Sequence, residues 1–150
     1  MIKAGITKSQ LVIEVICFLL IVLFFYAAVT KLLDYEKFVA QLGQSLVLRG
    51  GAKFIAVILP AIEVLICIGL AIPRFKLYAL YASMFLLFVF TVYIAVMLIV
   101  SSKLPCSCGG VLNTLSWSEH LVFNIIFLVA AGVSVWFSIR NKKTRSDQLR

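Results

Sequence analysis

Apolar residues fall into four long runs separated by short polar stretches: Leu11 to Leu33, Phe54 to Ile72, Leu77 to Val100 and Trp117 to Ile139. Each run approaches or exceeds the about 20 residues that a hydrocarbon core of about 30 Å demands. Backbone inside that core has no water to bond with, so runs of this length satisfy their own hydrogen bonds as helices. The pattern therefore predicts an all-α fold, an integral-membrane four-helix bundle in a single domain over residues 1–150. The first run is too long for the apolar core of a signal peptide, and no clear small-x-small cleavage site follows it, so it reads as a span.

The connections have patterns of their own. Residues 1–10 are a short basic lead. Between the first two spans, Phe38, Leu42 and Leu46 recur every four residues with Lys37, Gln41 and Gln44 among them. That spacing predicts a short amphipathic helix at the membrane interface, closed by Arg49-Gly50-Gly51, with a solvated loop as the alternative. Pro73-Arg74-Phe75-Lys76 predicts a tight turn, and residues 140–150 predict an unstructured polar tail. Ser116-Trp117-Ser118-Glu119 has the form of a capping box at the start of the fourth span, and Trp117 is an interfacial aromatic.

Composition agrees with lipid as the solvent: of 150 residues 63% are hydrophobic and 13% charged, against about 45–50% and about 25% in ordinary soluble domains. The net charge of +8 lies between and beyond the apolar runs and forms no nucleic-acid stripe, so no nucleic-acid partner is expected. Four spans put both termini on one side. Lys3, Lys8, Arg74, Lys76, Arg140, Lys142, Lys143, Arg145 and Arg150 share that side, whereas Lys31, Lys37, Arg49, Lys53 and Lys103 share the other. The basic-rich side is normally cytoplasmic. The expected topology is thus N-in/C-in, multi-pass, in a bacterial inner membrane, with residues 101–116 on the outer face.

That outer segment holds the most reactive residues of the chain, in Pro105-Cys106-Ser107-Cys108-Gly109-Gly110. Cysteines at i and i+2 can bring their Cα atoms within the about 4.4–6.8 Å that a disulfide needs, and the small ring is readily reduced. The outer compartment is also where disulfides form and persist. Three readings remain open at this point: a dithiol/disulfide pair that exchanges electrons with a partner, an inert loop disulfide, or a soft-metal site. A tetrahedral metal site wants four ligands and His120 is the only obvious third, so no metal site is assigned. His120, the only histidine, falls in the first turn of the fourth span. There the helix dipole favours a neutral imidazole, able to take a proton from an attacking cysteine. Asn124 lies one turn further on, at the distance to orient that ring. The plainer reading is an interfacial histidine bonded to water or headgroups.

Glu63 is out of place in a membrane centre, where a charge costs on the order of 2.5–3.5 kcal/mol on insertion scales. Such residues face the bundle interior and have partners. Lys31 has the opposite charge but lies near the outer end of the first span, while Glu63 is about 14 Å below the outer end of its own. Pairing requires Lys31 to reach inward or the second span to begin later. The other reading is a protonated Glu63 bonded to Tyr26 or Thr30. Pro60, three residues earlier, is a point where the helix is expected to kink and free a carbonyl. Glu14 snorkels near the inner end and has no assigned role. Cys17 and Cys67 read as small core residues, and Ala27, Ala28, Gly69 and Ala71 as close packing positions. Phe85, Phe88, Phe90 and Tyr93 of the third span suit the wall of a quinone pocket, although packing or lipid contact is their commoner use. Quinone is the one cofactor the sequence suggests.

Tyr26-Ala-Ala-Val-Thr-Lys31-Leu-Leu-Asp34, Leu59-Pro60-Ala-Ile-Glu63-Val-Leu with Gly69, and Pro105-Cys-Ser-Cys108 followed by Ser116-Trp117 and Asn124 together form a broader pattern. On these motifs the chain resembles the MauE branch of the DoxX-like membrane proteins, a group associated with methylamine utilisation and with redox maturation of exported proteins. The resemblance covers nearly the whole chain. It implies a four-helix membrane bundle engaged in periplasmic disulfide chemistry, with a distant likeness to four-helix thiol oxidases of the vitamin K epoxide reductase type. Those enzymes use Cys-x-x-Cys where this chain has Cys-x-Cys. Gly109 and Phe123 stand where the MauE pattern often has Phe and Arg.

Two functions from different classes follow. In the first, the chain is a thiol-disulfide oxidoreductase component: Cys106 and Cys108 exchange with a periplasmic or exported thiol protein, His120 assists proton transfer, and electrons pass to another thiol protein or a quinone. In the second, the chain is a non-catalytic subunit that anchors or stabilises other membrane subunits, with a structural or metal-binding thiol loop.

Overall fold

The structure is a computed structural model that describes residues 8–44, 49–100 and 117–147. Cys106 and Cys108, together with Leu46, Lys103, Ser116 and the capping box it would form, lie outside the described residues. Five α-helices and no strand occur among the described residues: α1 (Lys8–Leu33), α2 (Tyr35–Gln44), α3 (Ala52–Ala71), α4 (Lys76–Val100) and α5 (Trp117–Asp147). All but α2 are long and apolar enough to cross a membrane.

The spans form a closed ring in which α1 packs on α3, α3 on α4, α4 on α5, and α5 back on α1. Leu20, Phe24, Leu70, Leu80 and Leu87 are fully buried at its centre. In each span only 22–33% of the most apolar window is buried inside the bundle. The rest, including Phe18, Phe25, Phe54, Leu65, Phe85, Ile99 and Ile126, faces outward, as lipid rather than water permits.

Three local features determine how the helices meet. First, the chain bends at Asp34 without losing its hydrogen bonds: Asp34 N–H donates to the Thr30 carbonyl at 3.0 Å and Phe38 N–H to the Asp34 carbonyl at 2.9 Å. Helix α2 then lies against the first turns of α3, where Leu42, Ala52 and Ala56 form a small buried cluster with Phe38, Val39 and Ile55 around it. Second, α3 runs unbroken through Pro60, whose ring is fully buried. The proline has no N–H to give to the ladder, while the helical bonds on either side continue. Third, α3 and α4 meet in a tight turn over 72–75, in which Phe75 N–H donates to the Ile72 carbonyl at 3.0 Å. A Cβ placed on Gly69 would sit 2.9 Å from Ala79 Cβ, so glycine is what lets these two helices approach.

Two expectations are corrected. The segment from Arg140 is not an unstructured tail, because α5 continues through it to Asp147. Extending an existing helix needs no new nucleus and adds a bond per residue. Arg140 lies 5.5 Å from the centre of the Trp136 ring one turn back, and Ser9 Oγ donates to Asn141 Oδ1 at 3.2 Å, tying the two chain ends together. Ala71 is not a packing position, because it is exposed beside the turn. Cys17 and Cys67 are free thiols in the core cluster, and Cys67 Sγ donates to the Ile21 carbonyl at 3.5 Å.

Candidate functional site

The ring of spans closes tightly at the end that carries the α3–α4 turn and loosely at the end that carries α2. A cavity of about 310 Å³ opens there between α1, α3, α4 and α5, with α2 alongside. Its wall is apolar over most of its area, built from Leu23, Leu59, Phe90, Phe123 and their neighbours. Into that wall project Lys31, Glu63, His120 and Asn124.

Glu63 is fully buried, and its Oε1 forms an ion pair with Lys31 Nζ. The contact of Cys67 Sγ with the Ile21 carbonyl fixes the register of antiparallel α1 and α3 and leaves the Lys31 backbone outward of Glu63. The depth mismatch is therefore closed by the long lysine side chain, which reaches inward to the carboxylate. Its ammonium is also held 5.4 Å from the Phe90 ring centre and 5.9 Å from that of Phe38, within reach of cation–π attraction. Thr30 Oγ1 donates to the carbonyls of Tyr26 and Ala27, both at 3.1 Å, so its hydroxyl serves its own helix and not Glu63.

Two buried polar atoms at this site have no hydrogen-bond partner among the described residues: Glu63 Oε2, an acceptor, and Asn124 Nδ2, a donor. Asn124 is 5% exposed and Glu63 0%, so water outside the bundle does not satisfy either. Asn124 Nδ2 makes no hydrogen bond to the His120 ring. His120 itself is half-buried at the cavity edge.

The structure thus brings together Lys31, Glu63, His120 and Asn124 and leaves Tyr26 half-buried outside the cavity lining. Cys106 and Cys108 lie outside the described residues. Of the aromatics of α4, Phe90 and Tyr93 line the cavity, whereas Phe85 and Phe88 are exposed on the outer surface. Sequence reasoning assigns Phe38 to the interfacial helix and misses its position beside Lys31. The four-residue recurrence that placed it on the buried face of α2 was the available signal. Among the described residues, no three His, Cys, Asp or Glu side chains gather in a group able to hold a metal ion.

The family model described as methylamine utilisation protein MauE matches residues 9–137. The chain belongs to the MauE family. No curated protein and no solved structure matches it. The matched segment begins in the first turn of α1 and ends in α5 just short of its polar extension, so it takes in all four spans and every residue of the cavity. It also contains Cys106 and Cys108.

Proposed function

We propose that this protein is a membrane-embedded component of thiol-disulfide exchange, acting in the bacterial inner membrane on exported proteins, with Cys106 and Cys108 as its redox pair at the periplasmic face. The observation that carries the reading is the Cys-x-Cys sequence between two spans of a MauE family protein. The nine-to-five division of basic residues supports its placement outside. Methylamine utilisation belongs to the family's name and is not part of the proposal.

Exchange conserves electrons between two dithiol/disulfide pairs. The Cys108 thiolate attacks one sulfur of a partner disulfide, a mixed disulfide forms, and the displaced partner thiolate takes up a proton. Cys106 then attacks Cys108 Sγ, which frees the second partner thiol and leaves a Cys106–Cys108 disulfide. The reverse sequence oxidises a partner dithiol. Cys108 is the attacking residue because it lies nearer in sequence to the positive N-terminus of α5, which stabilises a thiolate. His120, in the first turn of that helix, accepts the thiol proton.

The test is covalent trapping. Cys106→Ser removes the resolving thiol and should accumulate a higher-mass species with an exported protein, dissociated by reductant. Cys108→Ser should abolish it. If neither variant forms the species and both retain wild-type activity in cells, the thiols are not a redox pair and the protein is a structural subunit of a membrane assembly.

A further inference from the structure

Glu63 Oε2 and Asn124 Nδ2 are both more than nine-tenths buried, both unpartnered, and both on the wall of one cavity. Leaving a buried polar atom unmade costs about 1–3 kcal/mol, and more for a charged group. A membrane bundle that maintains two such atoms on the wall of one cavity is organised to receive a molecule that completes them. The molecule must offer a donor to the carboxylate and an acceptor to the amide, so its polar end is a hydroxyl type of group. The remaining wall is apolar and partly aromatic, with Phe38, Phe90, Tyr93 and Phe123, which suits the faces of a flat ring. A volume of about 310 Å³ lies at the lower end of the range of about 300–1,000 Å³ typical of small-molecule sites. Water at the polar end would satisfy the two atoms but leave the apolar remainder empty, because buried water needs two to four polar partners.

We propose that this cavity binds the head ring of a lipid-soluble quinol, whose hydroxyls supply the donor that Glu63 Oε2 lacks and the acceptor that Asn124 Nδ2 lacks. The proposal does not rest on the thiol reading, since every wall residue lies in the described helices and binding requires no cysteine. Lys31 acts as a positioning residue here: it occupies Glu63 Oε1 and thereby leaves Oε2 as the acceptor open to the ligand. The quinone form has carbonyl acceptors only and would face the carboxylate without a donor, so the site prefers the reduced ring.

The experiment is equilibrium binding of decylubiquinol and decylubiquinone to the full chain in lipid nanodiscs, with empty nanodiscs subtracted. Saturable binding is expected, with the reduced form at least about tenfold tighter, the effect of one hydrogen bond to a charged group. Decylbenzene, with the ring and tail but no hydroxyls, should not compete. Asn124→Leu should weaken decylubiquinol binding about tenfold while melting no lower than wild type, because it removes an unpaired buried amide. Leu59→Trp should abolish binding by filling the cavity while leaving Glu63 and Asn124 in place. Absence of saturable binding above empty nanodiscs, equal competition by decylbenzene, or wild-type affinity in both variants would overturn the proposal. Should Asn124→Leu misfold, the decylbenzene and Leu59→Trp arms still decide. None of these outcomes depends on whether Cys106→Ser traps a partner.

Discussion

The bundle holds a carboxylate–lysine pair between helices at each of its two ends, and the pairs have little in common beyond their chemistry. Near the α3–α4 turn, Lys76 Nζ donates to Glu14 Oε1 at 2.5 Å, and the Glu14 side chain is 61% exposed. Toward α2, Lys31 meets Glu63, which is fully buried. The surroundings differ in the same sense. Around the first pair the helices approach until Gly69 and Ala79 leave no space for another methyl group. Around the second they separate to leave a cavity. The same ionic contact is thus a rim feature where packing is close and part of a pocket where packing is open. Two ionised groups drawn from water into an apolar interior recover the desolvation cost only with good geometry and further bonds. Glu63 lacks one of those bonds, which marks its end of the bundle as the functional one.

The largest difference between the two ends should appear on removing one partner of the buried pair. Lys31→Leu leaves a buried carboxylate without its cation, and breaking such a pair costs about 3–5 kcal/mol. The expected outcome is a large loss of thermal stability in detergent or lipid. Lys31→Leu combined with Glu63→Leu should recover most of it, since apolar groups of similar volume replace a buried ion pair at little cost. Glu63→Leu alone should not impair membrane insertion, because it removes a charge from the centre of a span. A double variant no more stable than Lys31→Leu would show that the two side chains are not coupled.

The packing contrast can be tested with small-to-large changes. Gly69→Val pushes a branched side chain into Ala79, and overpacking of this kind typically costs about 1–3 kcal/mol. Ala27→Val, on the cavity wall, has the cavity to expand into and should cost less than Gly69→Val. Equal melting temperatures for the two variants would remove the distinction between a close end and an open one.

What the sequence disclosed follows the same division. The spans were legible because hydropathy over about 20 residues integrates many independent choices. Glu63 was legible as an anomaly, because a lone carboxylate in an apolar run is costly wherever it faces. Its pairing with Lys31 was legible only as one of two alternatives, because the reach of the lysine depends on the register of α1 against α3. That register is set by tertiary packing, in which Cys67 Sγ meets the Ile21 carbonyl. The cavity was legible only in part. Phe85, Phe88, Phe90 and Tyr93 all suited a pocket by residue type, but the rotation of α4 about its axis turns two of them outward. The helical extension beyond Arg140 went unread because its composition is that of a polar tail, and composition carries no information on what precedes it. A helix already formed over the apolar span propagates into residues that would not start one.

The smallest effect belongs to the rim pair, and its smallness is informative. Lys76→Gln removes the cation from Glu14, yet with the Glu14 side chain 61% exposed water and lipid headgroups take its place. Exposed pairs contribute about 0–1 kcal/mol, so the melting temperature should fall slightly or not at all. Screening sharpens the point. At 1 M salt the Debye length shrinks to about 3 Å, and any difference between Lys76→Gln and wild type seen at low salt should disappear. The loss caused by Lys31→Leu should persist, because bulk ions do not reach a fully buried carboxylate. Thermal melts of both variants at low and high salt therefore separate a pair on the surface from a pair in a site. A salt-insensitive loss of several kcal/mol from Lys76→Gln would mean that Glu14 is as deeply committed as Glu63, and the two ends of the bundle would have to be read as equivalent.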